Sequence, residues 1–159
     1  MSAEPYTSMV RIDAAPDQVF DYFVTPHLLV SWMGRRAVLE PRPGGEFSLD
    51  VYRVNVRGRY VVVDRPKRLV ISWGHEGSSL LPPGASMVEV TFTRDGAGTL
   101  VKVTHSGLPE EELGNHAMGW AHFLGRLEAV AAGRDPGPDP WLTSPPSAQA
   151  TRLRSQDGS

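Results

Sequence analysis

Residues 109–133, PEEELGNHAMGWAHFLGRLEAVAAG, decide the fold. Leu113, Ala117, Trp120, Leu124, Leu127 and Ala131 recur at three- and four-residue steps and form one continuous apolar stripe along a helix. Pro109 suits the first turn, where its missing N–H has no intrahelical role. Glu110, Glu111 and Glu112 place negative charge at the positive end of the helix dipole, and Gly133 supplies a stop. A stripe this long demands a large apolar partner surface. The chain before it must therefore build the concave face of a sheet.

That chain reads as strands. Phe47, Leu49 and Val51 alternate with Ser48, Asp50 and Tyr52; Leu69, Ile71 and Trp73 with Val70 and Ser72; Val88, Val90 and Phe92 with Glu89, Thr91 and Thr93. This is the period of half-buried strands. Val56–Asp64 is also β-rich, Ala37–Pro41 is a further candidate strand, and Thr99, Val101, Val103 and His105 share one face of the last one. Short turns such as Asp95-Gly96-Ala97-Gly98 make the series an antiparallel meander. His75–Ala85 is longer, rich in Gly and Pro, and expected to be mobile. Ahead of the meander, Tyr6–Ile12 reads as a strand followed by two short helices. The first opens at Pro16 and carries Val19, Phe20 and Phe23 on one face. The second opens at Thr25-Pro26, turns Leu29 and Trp32 to the core and stops at Gly34. The fold class is α+β.

The 159 residues amount to one domain, 40% hydrophobic and 21% charged. The absence of cysteine excludes disulfides, thiolate metal sites and cysteine nucleophiles. A net charge of −2 gives no pull toward nucleic acid or an anionic membrane. The N-terminus lacks a signal-peptide pattern and no apolar run spans a bilayer, so a cytoplasmic location without membrane insertion is expected. The domain is expected over 1–133. Residues 134–159, punctuated by Pro136, Pro138, Pro140, Pro145 and Pro146, read as a flexible Pro/Ser-rich tail, with Trp141 and Leu142 as a local anchor.

Particular words narrow the architecture. Ala15-Pro16-Asp17-Gln18-Val19-Phe20, Thr25-Pro26 and Trp32-Met33-Gly34 are followed by Pro43-Gly44-Gly45-Glu46-Phe47 and Arg57-Gly58-Arg59-Tyr60. Then come Pro66-Lys67-Arg68-Leu69-Val70, Ser72-Trp73, Gly98-Thr99-Leu100-Val101, Thr104-His105-Ser106-Gly107-Leu108 and His116-Ala117-Met118-Gly119-Trp120. In this order, from about Tyr6 to Ala132, they resemble the family named for the activator of heat-shock protein 90 ATPase, homologue 1-like. That family lies within the SRPBCC superfamily of START and pollen-allergen domains. The resemblance implies the helix-grip fold: a curved antiparallel sheet wrapped around a long C-terminal helix, with two short helices after the first strand. It implies less about function, because one fold hosts many functions.

The space between sheet and helix is the first candidate site. Trp32, Phe47, Leu49, Trp73, Phe92, Val103, Trp120, Phe123 and Leu124 either line a pocket for an apolar ligand or fill that space completely. The resembling superfamily commonly has a pocket, so the pocket is the expectation. His105 continues the inward register of Thr99, Val101 and Val103 toward the cavity end. It either contacts a ligand and moves a proton, or hydrogen-bonds a neighbouring loop or helix and holds the last strand. Its place in the resembling signature favours the second. Arg57, Arg59, Asp50 and Glu89 are expected on the outer face, pairing across strands, with Arg59 the least certain because of Gly58. His27, His75, His105, His116 and His122 are scattered in sequence, so no metal site is expected. No cofactor motif and no catalytic constellation are present either.

Three readings follow. The first is a binding module holding an apolar or amphipathic small molecule between sheet and helix. The second, suggested by the resemblance, is a chaperone-associated or stress-response interaction domain with a protein partner. The third, ranked last, is an enzyme of the polyketide-cyclase or hydrolase kind. It needs His105 or Arg59 to face a wet pocket beside a second titratable group.

Overall fold

The computed structural model describes residues 4–142. Seven antiparallel strands form one sheet: β1 (Tyr6–Ile12), β2 (Arg36–Leu39), β3 (Glu46–Val51), β4 (Val54–Asp64), β5 (Arg68–His75), β6 (Ser86–Asp95) and β7 (Gly98–Ser106). Their order across the sheet is β1-β7-β6-β5-β4-β3-β2, so β2 to β7 form a meander and β1 closes on its last strand. Two short helices, α1 (Pro16–Val24) and α2 (Pro26–Leu29), follow β1, and the long α3 (Glu110–Ala131) lies against the concave face.

The ends of α3 are set by local chemistry. Pro109 stands at the N-cap, one residue earlier than the first turn, and the three glutamates follow it. At the other end Gly133 adopts φ +85°, where a side chain would be strained. Its N–H donates to Val130 O at 3.0 Å, and the Arg134 N–H to Ala129 O at 2.8 Å, which closes the helix in a Schellman motif. The buried face of α3 differs from the expected stripe at its first half. Leu113 and Ala117 are only half-buried, while His116, Trp120, Phe123, Leu124 and Leu127 are buried. α2 ends at Leu29, and turns then carry the chain through Trp32 and Met33, both buried, to Gly34.

Alternation delivers the core. Leu49, Val56, Tyr60, Leu69, Val88, Val90, Val101 and Val103 are essentially inaccessible and meet Phe20, Phe23, Leu124 and Leu127 beneath the helices. Each such large side chain contributes roughly 1.5–3 kcal/mol on burial. Aromatic rings run through the centre, with Phe20 and Phe23 on Phe92, Phe47 between Tyr60 and Trp73, and Trp73 on Trp120. The Tyr60 hydroxyl donates to Phe23 O at 2.9 Å, and burial pushes its phenol pKa up.

Two segments rich in Gly and Pro make defined contacts. In the segment after β5, Leu81 is wholly buried. His75 N–H donates to Leu81 O at 2.8 Å, and Leu81 N–H to Ser78 Oγ at 2.9 Å. In the tail from residue 134 onward Trp141, one of the two expected anchors, packs on the core; residues 143–159, with Pro145 and Pro146, lie outside the described residues.

Glycines make a test of this packing. A Cβ on Gly58 would sit 1.7 Å from Ser72 O, whereas one on Gly125, exposed on α3, would meet nothing within 4 Å. Gly58→Ala should cost about 1–3 kcal/mol, and Gly125→Ala should gain about 1 kcal/mol from helix propensity. Thermal denaturation reads both, at about 2–4 °C per kcal/mol.

Candidate functional site

The concave face and α3 enclose a cavity of about 10 Å³, lined by Phe23, Leu29, Trp32, Met33, Phe47, Ile71, Trp73, Val88, Val90 and Trp120. That volume is room for one water-sized sphere. Of the residues expected to line a pocket, Trp32, Phe47, Trp73 and Trp120 do so. Leu49, Phe92, Val103, His105, Phe123 and Leu124 are buried away from the cavity. Phe23, Leu29, Met33, Ile71, Val88 and Val90 take their place. The alternation of β5 and β6 had already turned Ile71, Val88 and Val90 inward, and that was the available signal for them.

One of the lining residues, Trp73, carries a buried polar atom without a partner. The indole Nε1–H of Trp73, a residue 5% exposed, is buried with no hydrogen-bond partner among the described residues. The other cavity-lining tryptophans are satisfied: Trp32 Nε1–H donates to Tyr22 O at 3.0 Å, and Trp120 Nε1–H to His105 Nδ1 at 3.0 Å. A buried donor left unpaired costs about 1–3 kcal/mol.

His105, wholly buried, stands at the centre of a polar chain. Because Trp120 donates to Nδ1, that nitrogen is an acceptor and the proton sits on Nε2. Nε2–H then donates to Ser86 Oγ at 2.8 Å, and the Ser86 hydroxyl donates to Trp73 O at 2.6 Å. The chain ties α3 to β7, β6 and β5, and it leaves neither imidazole nitrogen free.

Three of the five histidines scattered in sequence, His75, His105 and His116, meet in space. His75 stacks on His116 with ring centres 5.2 Å apart, and His116 meets His105 edge-on at 5.0 Å. His116 Nδ1–H donates to Glu112 O at 2.9 Å. Among the described residues no group of three or more His, Asp or Glu side chains is arranged to hold a metal ion. Burial, then the neighbouring His116, lowers His75 to about 4. Burial, then His116 and His75, lowers His105 to about 2. His116 is lowered by burial against the opposing pull of its bond to Glu112.

The charged strand residues lie on the outer face. Arg57 reaches Asp50 at 3.0 Å, Arg68 reaches Glu89 at 2.6 Å, and exposed Arg59 donates to Gly44 O at 3.0 Å. No helix among the described residues is long and apolar enough to cross a membrane.

A meander closed by its first strand and gripping one long C-terminal helix, with two short helices after that strand, is the helix-grip class of domain. Within it, this chain belongs to the Activator of Hsp90 ATPase homolog 1-like family, which it matches over residues 13–132. The solution structure of an AHSA1-like protein from Rhizobium etli is 41% identical, covering 89% of this chain and 92% of that one, with a TM-score of 0.67. The solution structure of CalU16 from Micromonospora echinospora is 27% identical, covering 96% and 83%, with a TM-score of 0.72. An uncharacterized protein of Schizosaccharomyces pombe is 32% identical over 115 residues; these are 70% of this chain and 31% of that protein, so the chain spans about a third of its relative's length.

The histidine cluster dictates an acid response. An unfolded histidine takes up its proton near pH 6.5, the folded His75 only near 4, and His105 lower still. Between those values the unfolded chain binds more protons, so stability falls as pH drops from about 6.5 toward 4. The melting temperature should decline by several degrees across that window. His116→Gln, which removes one titrating ring and its charge on the other two, should flatten the decline, read by circular dichroism melts at each pH.

Proposed function

We propose that this domain is a binding module for a small, largely apolar molecule carrying one hydrogen-bond acceptor, held between the sheet and α3. The observation that carries this reading is the unpartnered Nε1–H of Trp73, a residue whose side chain lines an apolar, aromatic cavity. Binding sites of this kind combine an apolar lining with very few polar groups that fix orientation. A ligand carbonyl or ether oxygen would relieve the cost of that donor and add apolar burial.

The cavity must widen to admit such a molecule. The β5–β6–β7 wall and α3 are locked together by the His105 chain, so they are the rigid jaws. The wall that yields is the other one, formed by Leu29 on the single-turn α2 and by Met33 after it. A thioether side chain adapts its shape at low cost.

A second reading is favoured by the family match itself: an interaction domain acting beside a chaperone, as the name Activator of Hsp90 ATPase indicates for that family. It would work through the surface. Exposed Met9 and Met87 on the convex face are interspersed with Arg68, Glu89 and Lys102 and form no obvious apolar run. The enzyme reading loses its residues, since His105 has both nitrogens engaged and Arg59 lies on the outer face.

Thermal-shift titration tests the first reading with paired probes of equal size, linear ketones against the matching alkanes. The ketones should raise the melting temperature saturably, by several degrees at about 100 times the dissociation constant. The alkanes should do less, and Trp73→Phe should erase the difference. Equal, absent or non-saturating shifts for both series would reject the site.

A further inference from the structure

The docked stretch that follows α3 reveals a second site. We infer that Tyr52, His122, Phe123 and Arg126 form a recognition site for a short acidic-aromatic peptide segment of a partner protein, and that the chain's own Asp139-Pro140-Trp141 occupies it in cis. None of these four residues lines the Trp73 cavity, so the inference stands apart from the ligand-binding reading.

The geometry is that of a bound linear motif. His122 and Arg126 stand four residues apart on α3, on one helical face. Tyr52 comes from the tight turn between β3 and β4 and stacks on Phe123 with ring centres 6.2 Å apart. Asp139, 8% exposed, brings its carboxylate among them. It accepts from the Tyr52 hydroxyl, from His122 Nε2–H at 2.9 Å and from the Trp141 backbone N–H at 3.0 Å. Trp141 then lies flat on His122, ring centres 3.7 Å apart and 6° from parallel, with its edge toward Phe123 at 5.5 Å. Arg126 Nη2 donates to Gly137 O at 3.1 Å. A carboxylate in a polar notch, a ring on a flat surface and a backbone carbonyl on Arg126 take part in the attachment.

Two observations favour a displaceable occupant over a brace. First, the segment holds no regular structure beyond a single 3₁₀ turn at Pro140–Leu142, and it is joined through Gly133 and Gly137, both at positive φ. Second, its fit leaves a donor unused. Arg126 Nε is buried without a hydrogen-bond partner among the described residues and stands 3.8 Å from Asp139 Oδ2, beyond hydrogen-bond reach. A carboxylate free to approach Arg126 could take two parallel bonds from the guanidinium, the strongest arrangement open to this pair. Burial also raises Asp139 and lowers His122 and Arg126.

The tethered segment competes at an effective concentration on the order of millimolar. It therefore sets a threshold that only a better-fitting acidic-aromatic segment passes.

The test uses the full chain carrying Asp139→Asn and Trp141→Ala, with a synthetic peptide of residues 134–142 as probe, followed by calorimetry and by NMR of the labelled protein. The peptide should bind the variant saturably and at least tenfold more tightly than it binds the wild type, whose site is already filled. Changing aspartate to asparagine at position 139 of the peptide, or adding Arg126→Gln to the protein, should each weaken binding at least tenfold. Three outcomes would overturn the proposal. A folded variant that ignores millimolar peptide makes the segment a brace. A variant that loses its cooperative melt makes it an integral part of the fold. A concentration-dependent wild-type dimer with exchanged tails, seen by light scattering, makes the occupant a second copy.

Discussion

Trp120 donates to His105, His105 to Ser86, and Ser86 to the carbonyl of Trp73, and these three buried bonds hold the helix to the three central strands. Hydrophobic burial alone is non-directional, and an amphipathic helix on a smooth concave sheet could slide or rotate at little cost. The chain removes that freedom because each of its polar atoms must find one particular partner or stand unsatisfied in a medium of low dielectric. The register of the sheet brings the members together: Trp73 lies opposite Ser86, and Val88 opposite His105. A slip of one residue in either pairing would turn His105 outward along with every apolar neighbour. Polar chain and apolar alternation therefore specify the same register.

Locking one side of the cavity shifts adaptability to the other. The jaw formed by α3 and β5–β7 cannot open without breaking buried hydrogen bonds. The opposite wall rests on a four-residue helix and the turns that follow it. Such segments occupy the low end of a protein's local stability. Trp73 belongs to the rigid jaw through its backbone carbonyl, yet its indole nitrogen faces no acceptor. The same residue anchors the framework, lines the cavity and carries a buried donor without a partner among the described residues.

The architecture was legible in the sequence because periods of 2 and 3.6 survive any rearrangement of neighbours, and because α3 has a long stripe and a glycine stop. The inward direction of His105 was legible for the same reason. Cavity membership was not. Size drew attention to Phe92, Phe123 and Leu124, whereas the cavity lies toward Met33 and Leu29, a position set by how α2 folds back over the sheet. The meeting of His75, His105 and His116 was also hidden, since it depends on strand pairing and on the placement of α3 across more than 40 residues of chain. The docked segment was masked by composition. Prolines made residues 134–142 read as unstructured, and only Asp139 and Trp141 distinguish them from an ordinary linker.

Composition misleads there for a physical reason. A segment without a core of its own must borrow one, and here it does so through the buried Asp139 and the partly buried Trp141. Prolines reduce the conformational entropy lost on docking, because a chain already restricted in φ has less freedom to give up. Asp139 and Trp141 are flanked by Pro138 and Pro140, so the carboxylate and the ring are presented by a stiff backbone. Helix α3 thus serves three surfaces at once: Trp120, Leu124 and Leu127 pack the core, His116 closes the histidine cluster, and His122 with Arg126 faces the docked segment. Phe123 joins the first and third, buried in the core cluster on one side and touching Tyr52 and Trp141 on the other. What covers His122 and Arg126 therefore sits one side chain away from the core, with Phe123 the shared contact between the docked segment and the packed face of α3.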